Sequence, residues 1–239
     1  NINRIETPLA SESGVPAFYR WGNRPRLARY QQRWFRKFLD ETCQYQCILY
    51  EIENEHLTWA HPDWAIHWAR FIKSYLAEHY PDRPRLVSYS SLQSDLEDCY
   101  QVPEIDIINW HCGRSQEANP DQLNQYLEPR WQRGKAMNVD EFANGLGDPD
   151  VLRQMVWTIL MSGSNYHIED PTPEARPVEQ VELMQKWLRA SKWDFVHAAP
   201  NRSLVTTGDG YCMAQPGVEY VAYFPEGGDK GLSLEPGRY

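Results

Sequence analysis

Ile48-Leu49-Tyr50-Glu51-Ile52-Glu53-Asn54-Glu55 is an alternating stretch that turns from apolar to acidic, and its reading decides the fold. Strand side chains point to opposite faces in turn. Ile48, Tyr50 and Ile52 therefore share one face, and Leu49, Glu51, Glu53 and Glu55 share the other. A helix layer can cover the first set. The second needs a polar place to point: the mouth of a small parallel barrel or, for a plain edge strand, water.

Outward from this stretch the chain alternates strand and helix. Residues 1–29 lack periodicity and carry Pro8, Gly14, Pro16, Gly22 and Pro25, which predicts a long loop. A first helix is expected from about Arg29 to Cys43, with Tyr30, Trp34, Phe35, Phe38 and Leu39 on one face and Arg33, Arg36 and Lys37 on the other. Pro62-Asp63 opens a second helix whose stripe is Trp64, Ala65, Trp68, Ala69, Ile72 and Leu76. Proline suits a first helical turn because its missing N–H would be unpaired there.

Further strands are expected at Leu86–Ser90, at Ile105–Trp110 ending on His111, at Ala136–Val139 running into Asp140-Glu141, and near Ser164–Ile168. Helices lie between and after them: a short piece near Gln93–Tyr100, two capped by Asn119-Pro120 and Asp148-Pro149, and a last one at 178–191. Five repeats of strand then helix imply a parallel sheet or barrel. The spacing of about 28 residues per unit is close to the roughly 31 of an eightfold barrel. A doubly wound open sheet is the alternative, but no glycine-rich nucleotide loop follows any strand, and Gly145 and Gly147 make only a weak pair. Past Pro200, short strands are split by turns such as Gln215-Pro216-Gly217. The expected domains are thus an α/β barrel domain over 1–198 and a small antiparallel β domain over 199–239.

Composition narrows the partners. The 239 residues carry 33 Asp+Glu against 24 Lys+Arg, a formal net charge of −9, which argues against nucleic acid or an anionic membrane surface. No stretch approaches the roughly 20 apolar residues of a membrane span, so soluble material is expected. The 5 cysteines are odd in number and form no CxxC pair, which predicts free thiols rather than a zinc site or a disulfide scaffold. His56 and His61 lack metal-ligand spacing, so neither a metal nor a cofactor is expected. The 10 Trp and 14 Tyr supply flat faces that suit either core packing or the C–H faces of sugars.

In barrels, reactive side chains sit at the C-terminal ends of the strands. Here those ends carry Asn54-Glu55, Ser90, Trp110-His111, Asp140-Glu141 and Tyr166-His167. Two carboxylates with a histidine and aromatics suit glycoside hydrolysis, which needs one protonated and one ionised carboxyl flanking the bond. Glu55 and Glu141 lie about three βα units apart. The duller reading makes Glu55 a solvated loop carboxylate and Glu141 an ordinary helix-side acid, and Asp140 competes with Glu141 as nucleophile. Glu51 reads as a structural acid held by an arginine. His111 is a candidate donor to substrate or nucleophile, or a core residue. Trp59, Trp110 and Tyr166 are candidate sugar platforms, or core.

At this point Tyr50–Glu55 resembles the fourth-strand motif of clan A glycoside hydrolases, where Asn-Glu carries the acid/base, and Val139-Asp140-Glu141-Phe142 resembles their seventh-strand nucleophile segment. The closer likeness is to apiosidase-like (β/α)8 TIM barrels followed by a collagen-binding-type β domain. Trp157–Gly163 and Tyr211–Tyr220 carry that part. The resemblance implies a retaining two-glutamate glycosidase acting on a polysaccharide or oligosaccharide. Glu55 would be acid/base and Glu141 nucleophile, with Asn54, Trp59, Trp110, His111, Asp140, Tyr166 and His167 binding substrate. It also implies a fragment lacking the first three βα units, a β-sandwich-like C-terminal domain, and a secreted, periplasmic or cell-surface location. The other class of protein compatible with these residues is a non-catalytic carbohydrate-binding or adhesion protein on the same scaffold.

Overall fold

The computed structural model describes residues 18–19, 25–56, 62–91, 97–111, 119–169 and 171–237. Most of the predicted N-terminal loop and Trp59 lie outside these, as do the side chains of Glu55 and His56. The chain forms two compact units, 1–110 and 111–239.

The first unit begins with helix α1, Pro25–Thr42, and strand β1, Tyr50–His56. Helix α2, Pro62–His79, strand β2, Val87–Ser91, and the short helix α3, Glu97–Tyr100, follow. Strand β3, Ile107–His111, then ends on the first residue of the second unit. β1 runs parallel to β2, with Tyr50 opposite Val87 and Ile52 opposite Tyr89, and β2 parallel to β3, with Ser88 opposite Ile107. The predicted alternation holds in β1, where Tyr50 and Ile52 are buried; in β2 and β3 both parities are buried, Val87, Tyr89, Ile108 and Trp110 on one and Ser88, Ser90, Asn109 and His111 on the other. All six predicted stripe residues of α2 are buried.

Trp68 is fully buried and stacks on Phe35 of α1 at 3.9 Å between ring centroids. Burying an aromatic of that size removes enough apolar surface that truncating one to alanine costs about 3–5 kcal/mol.

Helix α1 departs from its expected aspect. It starts four residues earlier than predicted, at Pro25, and its buried residues are Leu27, Gln31 and Leu39. Trp34, Tyr30 and Phe38 are exposed, Trp34 by 60%. The reason is geometric: the aromatic stripe is wider than the line of contact with α2, so Phe35 and Leu39 pack while their neighbours border a cleft. That cleft, of about 480 Å³, is walled by Tyr30, Trp34, Phe38 and Leu49, with Glu51 and Glu53 on it.

The second unit continues with helix α4, Pro120–Trp131, strand β4, Ala136–Phe142, helix α5, Pro149–Met161, strand β5, Asn165–Ile168, and helix α6, Pro177–Ser191. Both predicted caps form. Asn119 Oδ1 accepts from the backbone of Asp121 (2.9 Å), and Asp148 Oδ1 from that of Asp150 (2.9 Å), each pairing an N–H that the helix leaves unused. β4 and β5 are parallel. Each unit is thus α/β, with β1, β2 and β3 parallel in the first and β4 and β5 parallel in the second.

Five short strands complete the chain: β6, Ala199–Pro200, β7, Val205–Thr207, β8, Tyr211–Gln215, β9, Glu219–Tyr223, and β10, Gly231–Leu232. They pair antiparallel as β6-β8-β9 and β7-β10. Their apolar side is not a separate core. Met161 of α5 is buried with Trp193, Ala198, Tyr211 and Met213, while Trp157 stacks on Tyr223 at 5.4 Å. Polar contacts brace the same seam: Arg202 Nη2 stands 2.7 Å from Asp121 Oδ1, Tyr211 Oη donates to that oxygen (3.0 Å), and the Arg202 backbone N–H donates to Glu128 Oε1 (3.0 Å). Burial and then Asp121 push the Tyr211 hydroxyl up to about 12. The β strands and α4–α5 are therefore one packed body.

Candidate functional site

Both acidic strand ends leave regular geometry at their carboxylates. In β4, Asn138 and Val139 pair with Asn165 and Tyr166, and pairing resumes at Phe142 with Ile168. Asp140 and Glu141 are thus two residues against the single His167, which is a β-bulge. Glu141 has φ 52° and Ala143 φ 71°, both in the left-handed region that favours glycine. Such backbone costs of order 1–3 kcal/mol and persists where surrounding packing holds it. The consequence is an aim that alternation forbids: neighbouring side chains of a regular strand point to opposite faces, yet Asp140 and Glu141 both reach His111. β1 behaves similarly, with Glu53 at φ 65° and its register with β2 shifting between Ile52 and His56, across Asn54-Glu55.

The second unit gathers four of the predicted site residues. His111 Nε2, on a side chain only 3% exposed, lies 3.1 Å from Glu141 Oε1 and 3.7 Å from Asp140 Oδ2. Asp140 is itself 13% exposed, and its Oδ1 is 2.9 Å from His167 Nδ1. His111 is thus both buried and beside the carboxylates, joining the two readings the sequence left open. The side chain of Glu141 is 28% exposed and so remains reachable.

One nitrogen and two carboxylate oxygens from His111, Asp140 and Glu141 lie within 4.8 Å of one another, a donor set able to hold a divalent ion among the described residues. Sequence spacing gave no sign of this trio, because β3 and a bulge in β4 assemble it.

The remaining candidates sit elsewhere. Tyr166 turns to the helix side: its ring meets Phe142 edge-on at 5.7 Å, its hydroxyl reaches Met184 Sδ at 3.7 Å, and burial pushes that hydroxyl up. Trp110 is buried, 7% exposed, on the parity of Ile108 in the first unit. Asn54 is exposed on β1. Glu55 occupies the next position of β1, its side chain outside the described residues, as is Trp59.

Glu51 differs from expectation. No arginine holds it among the described residues; Asn109 Nδ2 (2.7 Å) and Ser88 Oγ (3.3 Å) both donate to its Oε2. Asn109 and Ser88 are buried, so a carboxylate at the strand surface satisfies two amphoteric groups beneath it. Nothing in the sequence singled out Asn109; the signal available was its parity with His111, two residues on.

No family model matches the chain, and no curated protein matches it.

Proposed function

We propose that the chain is the catalytic part of a retaining glycoside hydrolase built on a (β/α)8 barrel, its last strands forming a β-sandwich-like domain that braces the barrel. The observation that carries the reading is Glu141: an accessible glutamate at the C-terminal end of a parallel strand, re-aimed by a bulge and approached at 3.1 Å by a buried histidine. A nucleophilic carboxylate must be reachable and face the anomeric carbon. Asn54-Glu55, at the irregular end of β1, supplies the second carboxyl.

In this mechanism Glu55 gives its proton to the glycosidic oxygen as the C–O bond breaks. Glu141 supplies the electron pair that forms the glycosyl ester. Glu55, now a base, takes a proton from water, whose oxygen displaces Glu141 and regenerates both groups. Asn54 holds the hydroxyl beside the reacting carbon. The reaction needs no added cofactor, and a cation on Glu141 would block it.

The test is turnover of aryl glycosides and plant or microbial polysaccharides, with proton NMR of the product anomer. Glu55→Gln and Glu141→Gln should each lower kcat by about 10²–10⁴. Near-normal turnover in either variant removes the assignment. Retention also requires the two carboxyls about 5–5.5 Å apart, against roughly 6.5–9.5 Å for inversion. Glycan binding without cleavage would favour the adhesion or carbohydrate-binding alternative.

A further inference from the structure

The cleft of the first unit joins one line of α1 to one parity of β1. Tyr30, Trp34 and Phe38 recur every four residues and so share a helix face, while Glu51 and Glu53 share a strand face with Leu49 just before them. Trp34 and Phe38 are stacked, 5.3 Å between centroids and 6° between planes, and both stay exposed. Aromatic rings and two carboxylates thus border one hollow of about 480 Å³. Small-molecule sites span roughly 300–1,000 Å³.

Glu51 is exposed yet not loose. Asn109 Nδ2 (2.7 Å) and Ser88 Oγ (3.3 Å) donate to its Oε2, and both residues are buried, so the carboxylate is held from beneath by one oxygen. Among the described residues nothing donates to the other oxygen, Oε1. No lysine or arginine lines the cleft among the described residues; Arg26, Arg29 and Arg33 line a separate hollow that shares only Tyr30 with it. Aromatic faces carry the negative end of the ring quadrupole, so the walls add to the field of the carboxylates instead of offsetting it.

We propose that this cleft binds an organic ammonium ion with an apolar body, its N–H donating to Glu51 Oε1 and its charge lying over the Trp34 ring. The body then packs on Phe38 and Leu49. A cation answers both the carboxylate and the ring faces, whereas an alcohol answers neither charge and an anion is repelled. The net charge of −9 further favours cations near the chain. The site shares no residue with the proposed hydrolysis, so the two readings stand or fall separately.

Calorimetric titration of the full 239-residue chain at neutral pH with three probes of one shape, phenethylamine, 2-phenylethanol and phenylacetate, is the test. Phenethylammonium should bind one to one with Kd below about 1 mM, about tenfold or more tighter than the alcohol, and phenylacetate should not bind. Glu51→Gln keeps an oxygen for Asn109 and Ser88, so the fold is kept. It should weaken the ammonium by about tenfold and leave the alcohol unchanged. Trp34 is 60% exposed, so Trp34→Ala also keeps the fold, and it should weaken the ammonium by about three- to tenfold. Glu78→Gln removes the same charge from an exposed position of α2 outside the cleft and should change nothing.

Equal binding of ammonium and alcohol would overturn the proposal, leaving a plain apolar hollow. An ammonium preference that survives Glu51→Gln, or that falls as far in Glu78→Gln, would overturn it too, as would the lack of saturable phenethylammonium binding.

Discussion

Removing the Asp121 carboxylate tests whether the C-terminal strands are a brace or an independent module. One oxygen, Asp121 Oδ1, receives the Tyr211 hydroxyl at 3.0 Å and the Arg202 guanidinium at 2.7 Å. Tyr211 is 3% exposed, so its hydrogen bond to a charged acceptor is worth roughly 1.5–3 kcal/mol. The ion pair is half open, with side chains 30% and 49% exposed, and screening leaves it about 0–1 kcal/mol.

Asp121→Ala should therefore lower stability by about 2–3 kcal/mol. Urea unfolding should be followed both by tryptophan fluorescence, to which Trp157 and Trp193 of the cluster contribute, and by far-ultraviolet circular dichroism. If the seam is one core, both probes shift together and the m-value is kept. Tyr211→Phe alone should cost about 1–2 kcal/mol, and the double variant should fall short of the sum by about 1 kcal/mol or more. A loss under about 0.5 kcal/mol, or an early transition confined to one probe, would refute the single-body argument.

Two further outcomes follow from particular side chains. Burial, and then Arg70, hold His67 down at about 4 against 6.5 for a free histidine. Between those values the unfolded chain binds the proton that the folded one refuses, so stability is fully present above about pH 6.5 and falls as pH drops toward 4. The group is only half buried, so the loss after screening should be about 1–2 kcal/mol. His67→Phe, keeping the ring beside Trp68 and Phe71, should flatten that slope in unfolding curves taken from pH 7 to 4; an unchanged slope would assign it to other groups. Gly163 has φ +75°, and an added Cβ would clash with the indole of Trp131. Gly163→Ala should cost about 1–3 kcal/mol in thermal unfolding. Adding Trp131→Ala should recover only the steric share, and full recovery would mean that the backbone contributes nothing.

The stripe of α2, the two capped helices and the burial parity of β1 could be read from the chain because each is local. A helix period of 3.6 and a strand period of 2 sort side chains by face, and Asn119 and Asp148 cap the helices that begin just after them. The identities at the strand ends could also be read: His111, Asp140, Glu141 and His167 were candidates on position alone. Their roles could not. Periodicity places Asp140 and Glu141 on opposite faces, and only the bulge against His167, with left-handed backbone at Glu141, turns both toward His111. The Glu51–Asn109 contact spans 58 residues and crosses two strand pairings, beyond any local pattern.

The boundary after residue 198 is a further case. Composition changes there, and a change of strand rhythm reads as a new domain. The strands beyond it are antiparallel and pack on the helix layer: Met161 of α5 is buried with Tyr211 and Met213 of β8. The short antiparallel strands have too little apolar surface of their own, so they bury it against the helix layer.

The recurrence of strand and helix outward from residues 48–55 pointed to a parallel α/β arrangement with carboxylates at strand ends, because alternation and recurrence are properties of neighbours in sequence. Which carboxylates lie beside a histidine, which aromatics stay in water and which strands share a core were decided only by tertiary structure. Those outcomes depend on register shifts and long-range contacts, whose free energies no local pattern encodes.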